Sequence, residues 1–333
     1  MNALRQSPGL LILPHLRIQN ANAISSPLTH GFPSITAFLG VMWALERKLD
    51  GRYPAYFDSV GVICHEADEQ VTEGGYIHAF LLTRNPVDKT GGTAGIVEEG
   101  RIHLDITLVF GISDDIVNRS EEERDAFARE VAATLSQMRI AGGSVLPSAL
   151  SAWQTRPQLL PVSQDADEAA DQFRCLRRRW LPGFALVCRD DLLQQRTAAL
   201  QAVVPTASAL DAWLDLSRFN WKPAPEETSA PPAEGNKAKV EWQHDRKGQG
   251  WIVPIPVGYA ALSELYPPGV VANSRDADTP FRFVESLYSI GQWLSPHRLQ
   301  NGNDLLWHGH TDTDAGVYRA RNDYATTLPA RSN

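Results

Sequence analysis

Apolar and polar positions alternate most cleanly at Arg101–Phe110, where Ile102, Leu104, Ile106, Leu108 and Phe110 interleave with Arg101, His103, Asp105, Thr107 and Val109. A period of two predicts a strand with one buried face. Its other face is mostly polar and free to meet solvent, an insertion or a ligand. The apolar run Leu10–Ile18 predicts an earlier strand. The period then changes: Ile35, Phe38, Leu39, Met42, Leu45 and Leu49 recur at helical spacing behind Ser34, a good N-cap. Gly40, inside that helix, costs roughly 1 kcal/mol against alanine and suggests close backbone packing. Phe57–Cys64 predicts another strand. Ser120 and Glu123 form a capping box ahead of a helix with Phe127, Val131, Leu135 and Met138 on one side. A last apolar strand of this region is expected at Gly183–Cys188, after the arginines at 174, 177, 178 and 179.

Residues 66–100 break the pattern. Tyr76–Leu82 could be a strand, while Asn85-Pro86 and Gly91-Gly92 mark turns, so a hairpin-like insertion projecting from the sheet is expected. The order β-α-β, insertion, β-α-β is that of the split βαβ found in ferredoxin-like and RNA-recognition folds, an α+β class. Such a domain, here about 1–190, presents an open sheet with both helices on one face. It lacks the aromatic signature that would give simple base stacking on the central strands. Residues 191–333 read as a mixed α/β C-terminal extension packed on it. Asp191–Phe219 is helical in two pieces about Pro205, and 222–250 is a polar, flexible loop. Trp251–Pro256 reads as a strand, Phe281–Trp293 as a helix and Asp304–His308 as a short strand.

Composition changes this picture in two ways. Of 333 residues, 43% are hydrophobic and 21% charged, as in globular proteins, and no apolar run reaches bilayer-spanning length. Three cysteines without C-x-x-C spacing point to the reducing cytoplasm. The formal charge of −8 matters more. A protein that grips nucleic acid by charge alone carries a basic excess. Any such contact here is therefore local, or shared with basic partner subunits.

The richest segment chemically is Arg17–Ser34. It spends about a dozen residues on small polar side chains between a strand and a helix N-terminus, where connections usually run about two to six residues. Asn20, Asn22, Ser25, Ser26, Thr29 and His30 can donate and accept hydrogen bonds, yet none is a good nucleophile or metal ligand unaided. That suits an anionic backbone and base edges better than bond-breaking. Gly142 and Gly143 follow a helix, and a C-cap explains one of them. With Ser144 after and Arg139 before, they also let a backbone approach a phosphate closely. Thr83-Arg84-Asn85, at the insertion's turn, is a further candidate for polar contact with a strand.

Catalytic signatures fail one by one. His308, His310, Asp312 and Asp314 would share one face of a strand, but neither a zinc signature nor an EF-hand register is present. Gly91–Gly95 lacks a P-loop lysine, and no G-x-S-x-G elbow occurs. Cys64 and His65, adjacent on a strand, point to opposite faces. A metal- or histidine-dependent endoribonuclease using the His308–Asp314 cluster, His30 or His103 stays open as an alternative, as does a scaffold that touches only protein.

The order Ile18-Gln-Asn-Ala-Asn-Ala-Ile-Ser-Ser-Pro-Leu-Thr29, then Gly31-Phe-Pro-Ser34, resembles the second Csy subunit of type I-F CRISPR surveillance complexes. Further matches run in order through Leu82–Pro86, Ile96–Arg101, Met138–Ser144, Leu181–Val187, Trp251–Pro256, Thr279–Glu285 and Trp293–Arg298. They span nearly the whole chain, except around 150–172 and 222–247. The resemblance implies a modified RNA-recognition domain with a thumb-like insertion, no catalysis and no cofactor. It implies a subunit that holds the crRNA 5′ handle, pairs with the large subunit at the tail of the complex and abuts a backbone subunit. Target DNA is met through the assembled complex. The motif places RNA contacts at Asn20, Asn22, Ser25, Ser26, Thr29, Arg84, Arg139, Gly142 and Gly143. His30 joins them as a residue that can stack, although a relative carries an aromatic residue there.

Overall fold

The computed structural model describes residues 7–328 apart from 50, 54, 85, 86, 88, 89, 94, 225–240 and 275, and only the backbone of Arg84. Strand β1 (Gly9–Asn22) is followed by a small hairpin, β2 (Ile24–Ser26) and β3 (Thr29–His30), and by helix α1 (Ile35–Leu49). All six residues of the expected α1 stripe are buried, and Ser34 Oγ accepts from the Thr36 amide at 3.3 Å. Strand β4 (Phe57–Glu69) runs past its expected end at Cys64. The insertion follows as a three-stranded sheet, β5 (Val71–Gly74), β6 (Ile77–Arg84) and β7 (Ile96–Glu99). Next come β8 (Arg101–Ile112) and α2 (Glu121–Ser136), whose Ser120–Glu123 capping box is fully formed.

Strands β9 (Arg139–Ile140), β10 (Gly143–Leu146) and β11 (Gln158–Pro161) precede α3 (Ala166–Arg178) and β12 (Phe184–Cys188). Helices α4 (Asp190–Gln201) and α5 (Ala209–Leu216) lie either side of Pro205, as expected. A short pair, β13 (Trp221–Pro223) and β14 (Trp242–His244), closes the base of the 222–250 segment, of which 225–240 lie outside the described residues. The remainder is β15 (Trp251–Ala261), β16 (Val284–Leu294), β17 (Trp307–Asp312), β18 (Val317–Asn322) and α6 (Tyr324–Thr327).

The fold is thus a mixed α+β structure with a large antiparallel sheet and, among the described residues, six α-helices. Strands β4, β8, β1 and β10 are neighbours in that order, every pair antiparallel. The far edge of β4 is divided between two partners. Val60 pairs with Trp307 of β17, and Ile63 and Cys64 pair with Ala185 and Phe184 of β12. From β12 the ladder passes through β16, β15 and β18 to β17, so six strands close on themselves. Closure of this kind removes exposed sheet edges. Buried Asn322 ties the circuit together: its Oδ1 accepts from Cys188 N at 3.0 Å, and its Nδ2 donates to Asp304 O and Leu306 O at 2.9 and 3.0 Å. Using both ends of the amide offsets the cost of burying it.

Because alternate strand residues point to opposite faces, the sheet feeds two cores. Leu11, Leu13, Leu108 and Phe110 join the stripes of α1 and α2. Leu10, Ile12 and Val109 join Phe173 and Leu176 of α3 with Trp180. The second face of β8 is therefore not the open surface its polar alternation predicted. Thr107 and Val109 are buried, and only the Arg101–Asp105 end stays partly exposed.

Two other expectations fail. Phe281–Trp293 is not a helix; most of it is strand β16, hydrogen-bonded on one side to β12 and on the other to β15, and buried from Ser289 to Leu294. A strand covered on both faces loses its period-two signal and reads as a buried helix. The short strand expected at Asp304–His308 starts at Trp307, after a 3-10 turn at Gly302–Asp304. No helix among the described residues is long and apolar enough to cross a membrane.

Candidate nucleic-acid interface

The polar segment is more ordered than a loop. β1 continues through Asn22, with a register shift between Ile18 and Ala21 at which Asn20 takes φ +57°. Asparagine tolerates this left-handed conformation better than most residues. Asn20 N donates to His103 Nδ1 at 3.2 Å, Arg101 Nη1 donates to Asn20 O at 3.4 Å, and Asn20 itself is exposed. Asn22 closes a local turn, its Oδ1 accepting from Ile24 N at 3.1 Å and its Nδ2 donating to Ile24 O at 2.7 Å.

The hydroxyls beyond it serve each other. Thr29 Oγ1 lies 2.8 Å from Ser25 Oγ and 2.7 Å from Ser26 Oγ, and Ser26 Oγ accepts from Leu28 N at 3.2 Å. Ser26 and Thr29 are buried, while Ser25 is partly exposed. This cluster holds the β2–β3 hairpin closed. His30 points outward, with Nδ1 3.0 Å from Glu69 Oε1 and its ring edge-on to Phe80 of the insertion at 5.7 Å.

The glycine pair does not cap a helix. α2 ends at Ser136 with Gln137 as its cap in right-handed conformation. Ala141 (φ +48°) and Gly142 (φ +81°) instead form the two-residue turn between β9 and β10. Positive φ at both central residues is what a tight hairpin turn matching the strand twist requires. Gly143 is the first residue of β10, and a Cβ there would lie 2.8 Å from Ala21 N and Gln19 O. Its lack of a side chain lets β10 lie directly against the bulge that presents Asn20. Beyond the β1–β10 pairing, the two polar segments are also joined by Asn22 N to Ala141 O at 2.8 Å.

Asn22, Ser25, Arg139 and Gly142 all line an open groove of about 620 Å³. Arg139 is exposed, steadied by its Nη1 bond to Gly142 O at 3.1 Å. The groove floor is a face of α1 that includes Ala37, Gly40 and Ala44. Gly40 does not mark close packing: it is exposed, and a Cβ there would have no atom within 4 Å. Trp43, Tyr259 and Tyr318 form the far wall. Sequence reading missed these three, because an isolated aromatic carries no signal until the fold sets it beside others.

Other candidates fall elsewhere. Ser25 and His30 also line a second cleft of about 480 Å³, with Phe32, Phe184, Trp251 and Trp293 and the acidic Glu66 and Glu69. Arg84 pairs through its backbone with Ile96 in the insertion, and its side chain and Asn85 lie outside the described residues.

Several groups that could do acid–base chemistry are engaged in structure. His65 Nδ1 donates to Pro182 O at 2.7 Å, its Nε2 lies 2.8 Å from Thr107 Oγ1, and its ring stacks on His15 at 4.2 Å. Burial holds the His65 imidazole below its usual range, helped by His15 and opposed by the Pro182 carbonyl. Burial, then the nearby Asp105, pushes the Cys64 thiol up to about 12, so it is a poor nucleophile. Asp312 Oδ1 accepts from Ala315 N at 2.9 Å in the β17–β18 turn. Among the described residues no three His, Cys, Asp or Glu side chains are arranged to hold a metal.

Fold and groove define a class: an antiparallel α+β protein with a groove that offers amides, an arginine and aromatic faces. A family model described as CRISPR-associated protein (Cas_Csy2) matches residues 11–320. The chain is also 46% identical over 316 residues to CRISPR-associated protein Csy2 of Pseudomonas aeruginosa (strain UCBPP-PA14), covering 93% of this chain and 94% of that one. The chain belongs to the Csy2 family of CRISPR-associated proteins.

Proposed function

We propose that this chain is a non-catalytic subunit of a type I-F RNA-guided surveillance complex that grips the single-stranded 5′ handle of the guide RNA in the groove between the β1–β3 segment and the β9–β10 turn. The observation that carries this is the meeting of Asn22, Ser25, Arg139 and Gly142, from segments more than a hundred residues apart, around one groove. Splayed bases of a single strand are met by amides and hydroxyls, and the phosphates by an arginine and backbone donors. Asn20, Asn22, Ser25, His30, Arg84, Arg139 and Gly142 are the proposed contacts; Ser26, Thr29 and Gly143 shape the surface that bears them. Membership of the Csy2 family supports the assembly role, in which the large subunit and a backbone subunit supply the basic surface that an acidic chain lacks. Guide pairing then reads target DNA, and this subunit reads only the end of the guide.

The order β4-β8-β1-β10 supports a ferredoxin-like reading in which β10 closes the second β-α-β unit, whereas the Gly183–Cys188 strand expected in that place is β12, on the opposite edge of β4. The insertion is the proposed thumb, and 191–333 the extension that closes the strand circuit. The test is a ternary complex of this chain, the large-subunit partner and handle RNA. A stable complex with the handle and a weaker one with a scrambled handle is expected; equal affinity overturns specific recognition. Cleavage of a labelled guide precursor by the purified chain, abolished in a His308→Ala/His310→Ala variant, would favour an endoribonuclease instead.

A further inference from the structure

We propose that Trp43, Tyr259 and Tyr318 form a stacking site for one splayed base of single-stranded RNA. This rests on the handle-binding reading and adds a subsite that the polar segments do not supply.

Three elements converge to build it. Trp43 of α1 and Tyr259 of β15 are 39% and 41% exposed. Tyr318 of β18 lies between groove and core, its ring centroid 5.8 Å from that of Trp43 with the planes 55° apart. Gly309 of the neighbouring strand makes this placement possible, because a Cβ there would lie 3.2 Å from both the Trp43 and Tyr318 rings. On the helix, Gly40 lies one position short of a full turn before Trp43 and leaves the space in front of the indole open.

An ordinary aromatic cluster would satisfy its polar atoms, as buried groups almost always do. The Tyr318 hydroxyl is buried yet has no hydrogen-bond partner among the described residues. Burial, then Tyr259, pushes that hydroxyl up to about 12, so it keeps its proton. That hydroxyl is enclosed, so what faces a ligand is the two exposed aromatic rings, in the same groove as Arg139, which suits a stacked nucleobase with its phosphate near an arginine. Base–aromatic stacking tolerates any base, because every base has a π-face.

The experiment assembles the full-length chain with its complex partners on guide RNAs carrying 2-aminopurine at one handle position at a time. Assembly should quench one position strongly, and Trp43→Ala should restore fluorescence at that position alone. The same variant should weaken retention of the intact handle roughly five- to hundredfold, as loss of one stacked base does, with Trp43→Phe recovering most of it. An abasic nucleotide at that position should cost Trp43→Ala nothing further. Tyr259→Ala, which removes an exposed ring, gives the same reading if Trp43→Ala fails to assemble. Handle retention that discriminates against scrambled RNA but shows no position dependent on Trp43 or Tyr259 overturns the stacking site alone. Equal retention of intact and scrambled handles by the unaltered chain overturns the handle reading and the stacking site with it.

Discussion

Ser26 and Asn22 are four residues apart, and the structure gives them opposite duties. The Ser26 hydroxyl is enclosed between Thr29 Oγ1 and the Leu28 amide, whereas Asn22 lines the groove. Ser26→Ala should therefore lower stability by about 1 kcal/mol, the net value of such a hydrogen bond, read as a fall in thermal midpoint. Asn20→Ala with Asn22→Ala should lower the midpoint, through the left-handed backbone at Asn20 and the lost Asn22 turn bonds, without unfolding the chain, and should weaken handle retention in the assembled complex. Unchanged retention would remove both from the site. Sequence alone showed that hydroxyls and amides were concentrated here, but not that the hydroxyls would satisfy one another. That distinction depends on the hairpin, which side-chain types do not announce.

His65 gives a pH prediction at the same scale. Its native value lies below the ordinary 6.5 because burial disfavours the cation. Between the two values the unfolded chain binds more protons than the native one, so stability falls as pH drops below about 6.5. The effect should be seen as a declining thermal midpoint from pH 7 to 5, with a shallower decline in His65→Asn. Identical slopes would show that His65 is not the group responsible.

Among elements, those with one wet face were legible. α1 and α2 were placed nearly residue for residue, because helical spacing survives where one side meets water; β8 was placed by the alternation of its half-exposed Arg101–Asp105 end, although the rest is buried on both faces. β16 was not, since both its neighbours and both its faces are protein. The β9–β10 hairpin escaped because its glycine turn directly follows a helix and imitates a cap. The strand circuit contains its own weak point at Gly258 of β15, where a Cβ would collide with the Tyr318 carbonyl oxygen and lie 2.9 Å from Arg319 Cα. Backbone atoms cannot swing aside as a flexible side chain can. Gly258→Ala should force β15 and β18 apart, costing about 1–3 kcal/mol by analogy with overpacked cores. Because Tyr318 lies in the groove wall, the same variant should also impair RNA retention, whereas Gly31→Ala, at a positive φ but in open space, should affect stability alone.

On the scale of the whole molecule, the proposed grip of an acidic chain on an anionic polymer rests on few ionic contacts. The groove offers Arg139 as its cation, with the rest supplied by amides, hydroxyls and aromatic faces. Arg139→Ala should therefore flatten the salt dependence of handle binding by about 0.7 in the log–log slope, the contribution of one phosphate contact on a single strand. The groove aromatics were not legible in the sequence, because Trp43, Tyr259 and Tyr318 come from the first helix and from strands on the far side of the circuit. Only closure of β4 onto β17 and β12 brings them to the Asn/Ser segment.

The central claim is that single-stranded guide RNA lies between the β1–β3 segment and the β9–β10 turn. It is tested most directly by photocrosslinking: complexes assembled on guide RNA with 4-thiouridine at successive handle positions are irradiated, digested and mapped by mass spectrometry. Crosslinks to residues 20–30 and 139–143 of this chain are predicted. Efficient assembly with crosslinks to this chain only outside those segments, or with none to it at all, would contradict the account.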